Sequence, residues 1–542
     1  MRKKQLIILG AGVMQGPAIR TAKSLGFEAI VVDGDPNAPC VQEADRFENI
    51  DLKDKEGVEA LARSLRLHGR LAGIMTAGTD FSASVAWVAE RLGLPGLPYE
   101  AALNASDKER MRSCFKRDGV PSPAFTTLSA APDANWKAPF PFPVVVKPVD
   151  NMGARGCRRA DTFEGLREAV RDALPFSRSK RIIIEEYMEG PEFSVDAIVC
   201  QGEITIAGLA DRHITFPPYF IEMGHTMPAD LDPETADSLL SVFKAGVRSL
   251  GVANGAAKGD VKLTPKGPMI GEIAARLSGG YMSGWTYPYA SGVDVTRAAI
   301  GVAIGENPMA IAASLMPSRN WTSAERAFIS IPGVVRSIEG CDAARAVPYV
   351  RDIFLRVKPG DTARFPVNNV SKAGNVIAAA PTRAEAVRAA ESAARSLLAR
   401  LETPNEGTTS FLENDGATGV FPPSAYTVSP EIQNHLEKLP PGIEKNMNCP
   451  YNKNVLERSA GQALSIIAFP EFETAEYTDW LGRTARESLK AIRTLTGLSL
   501  PVKRIDRAAC SGMALGRGFW KALIRGGYQG AVYLIDSLMS RG

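Results

Sequence analysis

Histidine is scarce in this chain of 542 residues: there are four, at positions 68, 213, 225 and 435. They are too dispersed to build a histidine-rich metal site. The seven cysteines, at 40, 114, 157, 200, 341, 449 and 510, are odd in number and form no CxxC. That argues against a disulfide framework or a zinc ribbon and fits a reducing cytoplasm. No apolar run approaches the ~18 residues of a transmembrane helix. Neither sign of charge dominates, with a net formal charge of +3, so neither nucleic acid nor an anionic membrane is an expected partner. No repeat of fixed period is visible. Arg2, Lys3 and Lys4 ahead of Leu6-Ile7-Ile8-Leu9 mimic a signal peptide. No small-residue cleavage site follows, and polar Gln15 and Arg20 come soon after, so a buried first strand is expected.

What is present is ordinary globular material, 45% hydrophobic and 23% charged. At roughly 150 residues per domain the length implies three to four domains. The first hundred residues alternate apolar strands (5–9, 28–32, 71–75) with amphipathic helices (13–25, 82–92), the signature of a parallel sheet covered on both faces. A helix at 107–117 leads into a proline-rich stretch, Pro121 to Pro143, which marks a boundary. Strands are expected at 144–147, 182–185, 193–199, 204–207, 259–263 and 269–273, with helices at 162–173, 233–250 and 293–304, an α+β block. Residues 326–401 read as β-rich with turns at Gly333, Gly340, Gly360 and Gly374, closing on a helix at 383–400. Residues 402–423 read as a polar linker. Beyond them lie an apolar strand (463–469), a helical period (473–495) and a basic end (Arg517, Lys521, Arg525) that suits a solvated helix face as well as a binding patch. The expected domains are 1–105, 106–306, 307–402 and 403–542.

Four clusters carry chemistry. Gly10-Ala11-Gly12-Val13-Met14-Gln15-Gly16 stands between a strand and a helix, with Asp33 ending the next strand. The spacing GxGxxxG suits a tight turn in a doubly wound sheet better than a dinucleotide site. Val146-Lys147-Pro148 followed by Asn151-Met152-Gly153-Ala154-Arg155-Gly156 sets a cation beside a glycine loop, which suits phosphate oxygens, although a surface lysine and a hairpin explain it equally well. Glu185-Glu186-Tyr187-Met188-Glu189-Gly190-Pro191-Glu192 links two strands and offers backbone groups to a base and a carboxylate to a ribose; alone it is a charged hairpin. Asp260 and Glu272 lie on strands joined by Thr264-Pro265-Lys266-Gly267, and paired carboxylates facing phosphates suit Mg²⁺. Arg276, with Gly279-Gly280 beyond it, can stabilise charge on a transferring phosphoryl group.

In this order and spacing the motifs resemble the ATP-grasp superfamily over about residues 4–400. The resemblance takes in Thr79-Asp80, Ser106-Asp107-Lys108, Arg110-Met111 and Gly271-Glu272-Ile273-Ala274-Ala275-Arg276. Within it the chain is most similar to carboxylate–amine (L-amino acid) ligases and the biotin carboxylase-like group. Gly333-Val334-Val335, Gly360-Asp361 and Gly374-Asn375-Val376-Ile377 resemble their C-terminal part. The implied fold is α/β and multidomain: a Rossmann-like pre-ATP-grasp domain, an α+β ATP-grasp domain, a small β-rich C-terminal part and an extra α/β tail.

The resemblance also implies roles. Lys108 and Lys147 contact ATP phosphates, and the loop Gly153, Ala154, Arg155, Gly156 closes over them. Glu185 belongs to the ATP-binding set, Glu186 and Met188 offer backbone groups to adenine, with Lys147 also toward that side, and Glu192 meets the ribose. Asp260 and Glu272 hold Mg²⁺, or Mn²⁺. Lys147 and Arg276 act in catalysis. Glu222, His225, Arg276, Gly279 and Gly280 meet the small-molecule carboxylate and amine, Glu222 through an amino group and His225 by orienting the substrate or taking its proton. Tyr281, Trp285, Tyr287 and Tyr289 are pocket walls or core. A homodimer in the cytoplasm is the usual setting. Two departures stand out: Ala274 where many relatives carry a metal-ligating Asn, and Ala154 where Ser is common. The expected reaction is ATP-dependent amide formation through an acyl phosphate. The alternatives are a biotin-carboxylase-like or carbamoyl-phosphate-synthase-like use of bicarbonate, an oxidoreductase using the first glycine turn, and nucleotide binding without turnover. No Ala/Val-Met-Lys-Met biotinylation motif occurs.

Overall fold

The computed structural model describes residues 3–413 and 517–539. The chain divides into two units, one built from residues 1–214, 224–324 and 379–383, the other from 215–223, 325–378 and 384–542.

The first unit opens with β1 (Gln5–Leu9), α1 (Gly16–Ser24), β2 (Glu28–Asp33), β3 (Arg46–Asn49), α2 (Lys55–Leu67), β4 (Leu71–Thr76) and α3 (Ser82–Leu92). The strands form a parallel sheet in the order β3-β2-β1-β4. β1 is buried throughout, and its apolar run over 6–9 suits a sheet covered on both faces. The glycine turn after β1 is filled from within. Gly12 N donates to Gln15 Oε1 at 2.9 Å, Ala11 N donates to Asp33 Oδ2 at 2.7 Å, and a Cβ at Gly10 would meet the Gln15 side chain. Asp33 therefore braces the turn, the tight-turn reading of the motif.

Next come α4 (Tyr99–Ser106) and α5 (Lys108–Asp118). Asp107 caps α5, accepting from the Glu109 and Arg110 amides, a contact of about 1 kcal/mol. A small antiparallel sheet then forms from β5 (Phe125–Leu128), β6 (Val144–Pro148), β7 (Arg158–Ala160) and, after α6 (Phe163–Ala173), β8 (Ile182–Glu186), in the order β5-β8-β6-β7. β9 (Glu192–Cys200), β10 (Glu203–Thr215), β11 (Ile221–Met227), α7 (Pro233–Ser249), β12 (Gly255–Thr264) and β13 (Gly267–Ala274) follow. Here β13, β12, β9 and β10 are consecutive antiparallel neighbours. A short π-helix at Met282–Thr286, α8 (Tyr287–Ser291), α9 (Val295–Ala303) and α10 (Pro308–Ala313) follow β13. The π-helix is preceded by Tyr281 at φ +66°. Tyr281, Trp285 and Tyr287 are buried, Tyr281 edge-on to Trp285, so these aromatics pack as core.

Chain order continues with β14 (Thr322–Phe328), β15 (Gly333–Glu339), α11 (Cys341–Ala346), β16 (Val350–Leu355), β17 (Thr362–Ala363), β18 (Gly374–Ala380), α12 (Arg383–Ser396), β19 (Leu398–Leu401), α13 (Glu406–Glu413) and α14 (Arg517–Met539). In the second unit β16 pairs with β18, and β15 sits between β17 and β19. The helix expected over 383–400 ends at Ser396, and Leu398–Leu401 is a strand paired with β15. Its three leucine and alanine side chains are buried, and that sheet burial overrides the helical propensity of the preceding Ala/Arg/Glu run.

α14 belongs to the same core. Ala522, Tyr528, Ala531, Val532 and Ile535 join Ala327, Phe328, Val335, Leu398 and Leu401 in one apolar cluster. Arg400 forks onto Asp536, Nε to Oδ2 at 2.7 Å and Nη2 to Oδ1 at 2.6 Å. Gln529 Nε2 donates to Ala399 O at 2.6 Å. Arg525 is fully buried and donates to Phe411 O, so it is neither a solvated basic face nor an exposed patch. The strand expected at 463–469 and the helix at 473–495 lie outside the described residues. Among the described residues no helix is long and apolar enough to cross a membrane.

Candidate active site

The charged residues singled out in the first unit converge on β6, β8, β9, β12, β13 and the start of α5. Lys147, at the end of β6, places Nζ 2.7 Å from Glu185 Oε2. Glu185 Oε1 faces Arg112 Nε at 2.8 Å, and both of those side chains are 1% exposed. Arg112 in turn donates through Nη2 to Gly271 O, on β13. Burial opposes ionisation of Glu185, but Arg112 and Lys147 more than offset it and hold its carboxyl down at about 2. Burial likewise opposes the charge of Lys147, and Glu185 reverses that, so the ammonium is held above the ordinary lysine range. Glu185 thus serves the site by fixing Lys147, its own oxygens being engaged by cations.

Asp260 and Glu272 are directly opposed on β12 and β13. Ser194 Oγ donates to Asp260 Oδ1 at 3.0 Å, Lys258 is ion-paired with the same carboxylate, and Arg212 lies 3.4 Å from its other oxygen. Glu272 Oε1 is 3.6 Å from Lys108 Nζ. Lys108 is buried in the first turn of α5, where Nζ donates to Asn151 O at 2.7 Å. Burial pushes the Glu272 carboxyl up, but Lys108 and Lys147 outweigh it and keep the group below its usual range. Among the described residues no cluster of three or more His, Cys, Asp or Glu forms a metal cage. Two opposed carboxylates, one held ionised, fit a cation that takes few protein ligands and completes its shell with phosphate oxygens and water, as Mg²⁺ does.

The glycine loop follows β6. Gly153, Ala154 and Gly156 have φ of +66°, +57° and +69°. Successive left-handed residues turn backbone amides toward one side, the geometry of an anion-binding concavity. Ala154 takes this conformation without glycine's freedom, a local strain at the position where a serine is common. The loop is tethered by Asn151, whose Nδ2 donates to Phe176 O at 2.7 Å and whose Oδ1 accepts from Met152 N and Arg155 Nη1.

The connection from β8 to β9 is clamped by β12 and the turn after it. Lys262 Nζ donates to Met188 O at 3.0 Å and stands 3.8 Å from Glu192, which is ion-paired with Arg212. Glu186 pairs with Lys266 at 2.8 Å. Gly190, at φ +120°, leaves no room for a Cβ, which would sit 2.0 Å from Leu263 O.

Arg276 follows β13. Its Nη1 donates to Leu277 O at 3.0 Å and its Nε is 3.6 Å from Asp80 Oδ1. Asp80 comes from the loop after β4, so the parallel-sheet part supplies a residue here. The two segments touch through an Ala77–Leu277 bridge and a 3.1 Å bond from Gly78 N to Leu277 O. Gly279 lies against Gly78. Buried His225 is on β11 in this unit. Glu222, on the same strand, belongs to the other unit, where its amide donates to Asn369 Oδ1 and its carbonyl accepts from Lys372.

Several participants carry no sequence motif. Arg112 stands one helical turn beyond Lys108, and Lys258 is two residues before Asp260 on the same strand face; either spacing is readable. Arg212 and Asp196 are placed only by strand register.

A family model of the ATP-grasp domain matches residues 140–284. The chain carries an ATP-grasp domain. A second model, L-amino acid ligase C-terminal domain 2, matches residues 327–402, the stretch holding β15 to β19. An uncharacterised protein of Sinorhizobium fredii is 26% identical over 395 residues, covering 71% of this chain and 80% of that relative. Human carnosine synthase 1 is 27% identical over 336 residues, covering 57% of this chain but only 40% of the synthase. The crystal structure of an L-amino acid ligase from Bacillus licheniformis superposes with a TM-score of 0.64 at 21% identity, over 74% of this chain and all of that one, which shows a shared fold. Proteins named as ligases, carnosine synthase 1 and a D-alanine–D-alanine ligase of Gloeobacter violaceus among them, are thus among the chain's sequence relatives.

Proposed function

We propose that the chain is an ATP-dependent carboxylate–amine ligase that joins two small molecules through an acyl phosphate and releases ADP and phosphate. The observation that carries this reading is the opposed pair Asp260 and Glu272, with Lys108 at 3.6 Å from Glu272 and Lys147 fixed by Glu185. Two carboxylates and two fixed ammonium groups match what a triphosphate brings: negative oxygens that accept hydrogen bonds from lysines, and a metal shared with the protein.

In this reading Lys108 and Lys147 bind phosphate oxygens, and the amides of the 153–156 loop close over them. The 186–192 connection receives adenine and Glu192 the ribose. Asp260 and Glu272 hold Mg²⁺, which neutralises phosphate charge when bound. A carboxylate is a poor electrophile, and transfer of the γ-phosphoryl group to it creates a good leaving group. Arg276, oriented by Asp80, binds the substrate carboxylate and then the acyl phosphate. The amine attacks the acyl carbon and phosphate departs. Positioning and charge stabilisation do most of this work, and closure of the glycine loop keeps water from the intermediate. The match of residues 327–402 to an L-amino acid ligase domain favours an amine over bicarbonate as second substrate.

The test is Mg-ATP consumption with pooled amino acids and small carboxylates, following ADP, AMP and phosphate. ADP and phosphate that depend on two organic substrates, with ¹⁸O passing from the carboxylate into phosphate, are the expected result. AMP with pyrophosphate would overturn the acyl phosphate.

A further inference from the structure

Asp196 stands on β9 between Lys258 on β12 and Gly208 on β10. It is 2% exposed. Its Oδ2 accepts from Ser278 Oγ at 2.6 Å and from Ser283 Oγ at 3.4 Å, and Ser283 Oγ in turn accepts from Ser278 N at 3.0 Å. Its Oδ1 is buried with no hydrogen-bond partner. Burial pushes this carboxyl up to about 6, although Ser278, Lys258, Arg276 and His225 all favour its charged form.

A buried carboxylate is rarely the most stabilising occupant of such a position, and specificity of arrangement is the alternative reason to keep one. What this carboxylate holds is the stretch from Arg276 through Gly279-Gly280 to the π-helix. That stretch departs from regular structure: it leaves β13, makes one isolated bridge at Leu277, passes through Tyr281 at φ +66°, and enters a π-helix. Few backbone bonds specify its path. The two serine hydroxyls converging on Asp196 specify it instead, from a strand about eighty positions earlier in the chain.

We propose that Asp196 is a positioning residue: through Ser278 and Ser283 it sets the segment that presents Arg276 and Gly279-Gly280 to the reacting carboxylate. This rests on the ligase reading above and adds a residue that acts on turnover without touching ATP. The variants are Asp196→Asn, Ser278→Ala, Ser283→Ala and the double variant Asp196→Asn/Ser278→Ala. Three quantities are measured: kcat with an accepted substrate pair, the Kd of Mg-ATP by direct titration, and hydrogen exchange of the peptide covering residues 276–283.

Asp196→Asn is expected to lower kcat about 10²-fold, the penalty of a misplaced reacting group. The Mg-ATP Kd should stay within about twofold and exchange in 276–283 should quicken at least about tenfold. The double variant should be no slower than the slower single, because both act through one contact. Unchanged kcat in both Asp196→Asn and Ser278→Ala would overturn the proposal, as would loss of ATP affinity in step with kcat. Should Asp196→Asn fail to fold, the two serine variants carry the same measurements. If the wild-type protein joins no carboxylate to any amine, the ligase reading fails by itself. The exchange comparison then still decides the clamp: quickened exchange supports it and unchanged exchange ends it.

Discussion

Arg112 and Glu185 face each other at 2.8 Å with almost no solvent on either side chain, and Lys147 closes on the other Glu185 oxygen at 2.7 Å. Two cations share one buried carboxylate. The lysine expected to meet phosphate is therefore held by a partner that no nucleotide replaces.

Removing that carboxylate should be structurally severe. Glu185→Gln leaves Arg112 and Lys147 without their counter-charge in a buried site, and such a loss destabilises by about 3–5 kcal/mol. Urea unfolding followed by circular dichroism measures it. A midpoint equal to wild type would show that the pair does not anchor the fold.

The same contact predicts an acid response. Glu185 sits at about 2 in the folded protein, against about 4.3 for an unfolded glutamate. A depressed carboxyl stabilises the fold above its unfolded value and loses that contribution as pH falls from about 4 toward 2. Stability measured across that window should fall more steeply in wild type than in Glu185→Gln. Equal slopes would contradict the assignment.

The opposed carboxylates make a separate prediction. Glu272→Ala and Asp260→Ala should each abolish ADP formation while the circular dichroism spectrum stays that of wild type. EDTA should stop turnover, and added Mg²⁺ should restore it. Normal rates in either variant would remove the metal site from β12 and β13.

Arg276 and Asp80 divide one task. Arg276→Ala should lower kcat by about 10²–10³-fold, as loss of a charge-stabilising donor does, with Mg-ATP affinity retained. Asp80→Asn should have a smaller effect, about tenfold, because it only orients the guanidinium. Loss of nucleotide binding in Arg276→Ala would contradict this role.

A stop after Glu413 should unfold the second unit even though the matched family domain ends at residue 402. Tyr528, Ala531, Val532 and Ile535 leave the core with α14, and Arg400 loses Asp536. Dye binding to exposed apolar surface and a lost thermal transition are the expected readouts. A native transition in the shortened chain would show that α14 is dispensable.

Much of the ATP-grasp core was legible because its strands are apolar runs with charged punctuation. Ile182–Glu186 and Val144–Pro148 announce themselves, and the motif residues sit at their ends. β3 was not legible: Arg46-Phe47-Glu48-Asn49 is a polar, half-exposed edge held by pairing to β2 rather than by an apolar face. The 383–400 stretch reads as one helix because nothing local reveals that Leu398 and Leu401 have a sheet partner sixty residues upstream. The site followed the same division. Lys147, Asp260, Glu272 and Arg276 carry recognisable spacing. Arg212 and Asp196 act through contacts that only the register of distant strands creates.

Where the loop after β4 meets the segment after β13, Gly78 and Gly279 lie against each other, and a side chain at Gly78 would strike Met14 at 2.6 Å. The neighbouring Asp80 and Arg276 form the charged contact of that seam. Two stretches of chain about two hundred residues apart therefore form one packed seam. On the ligase reading proposed above, a change of acceptor would have to alter both stretches together. Exchange of the N-terminal sheet between relatives should yield hybrids that bind nucleotide and join nothing until both halves of the seam come from one parent.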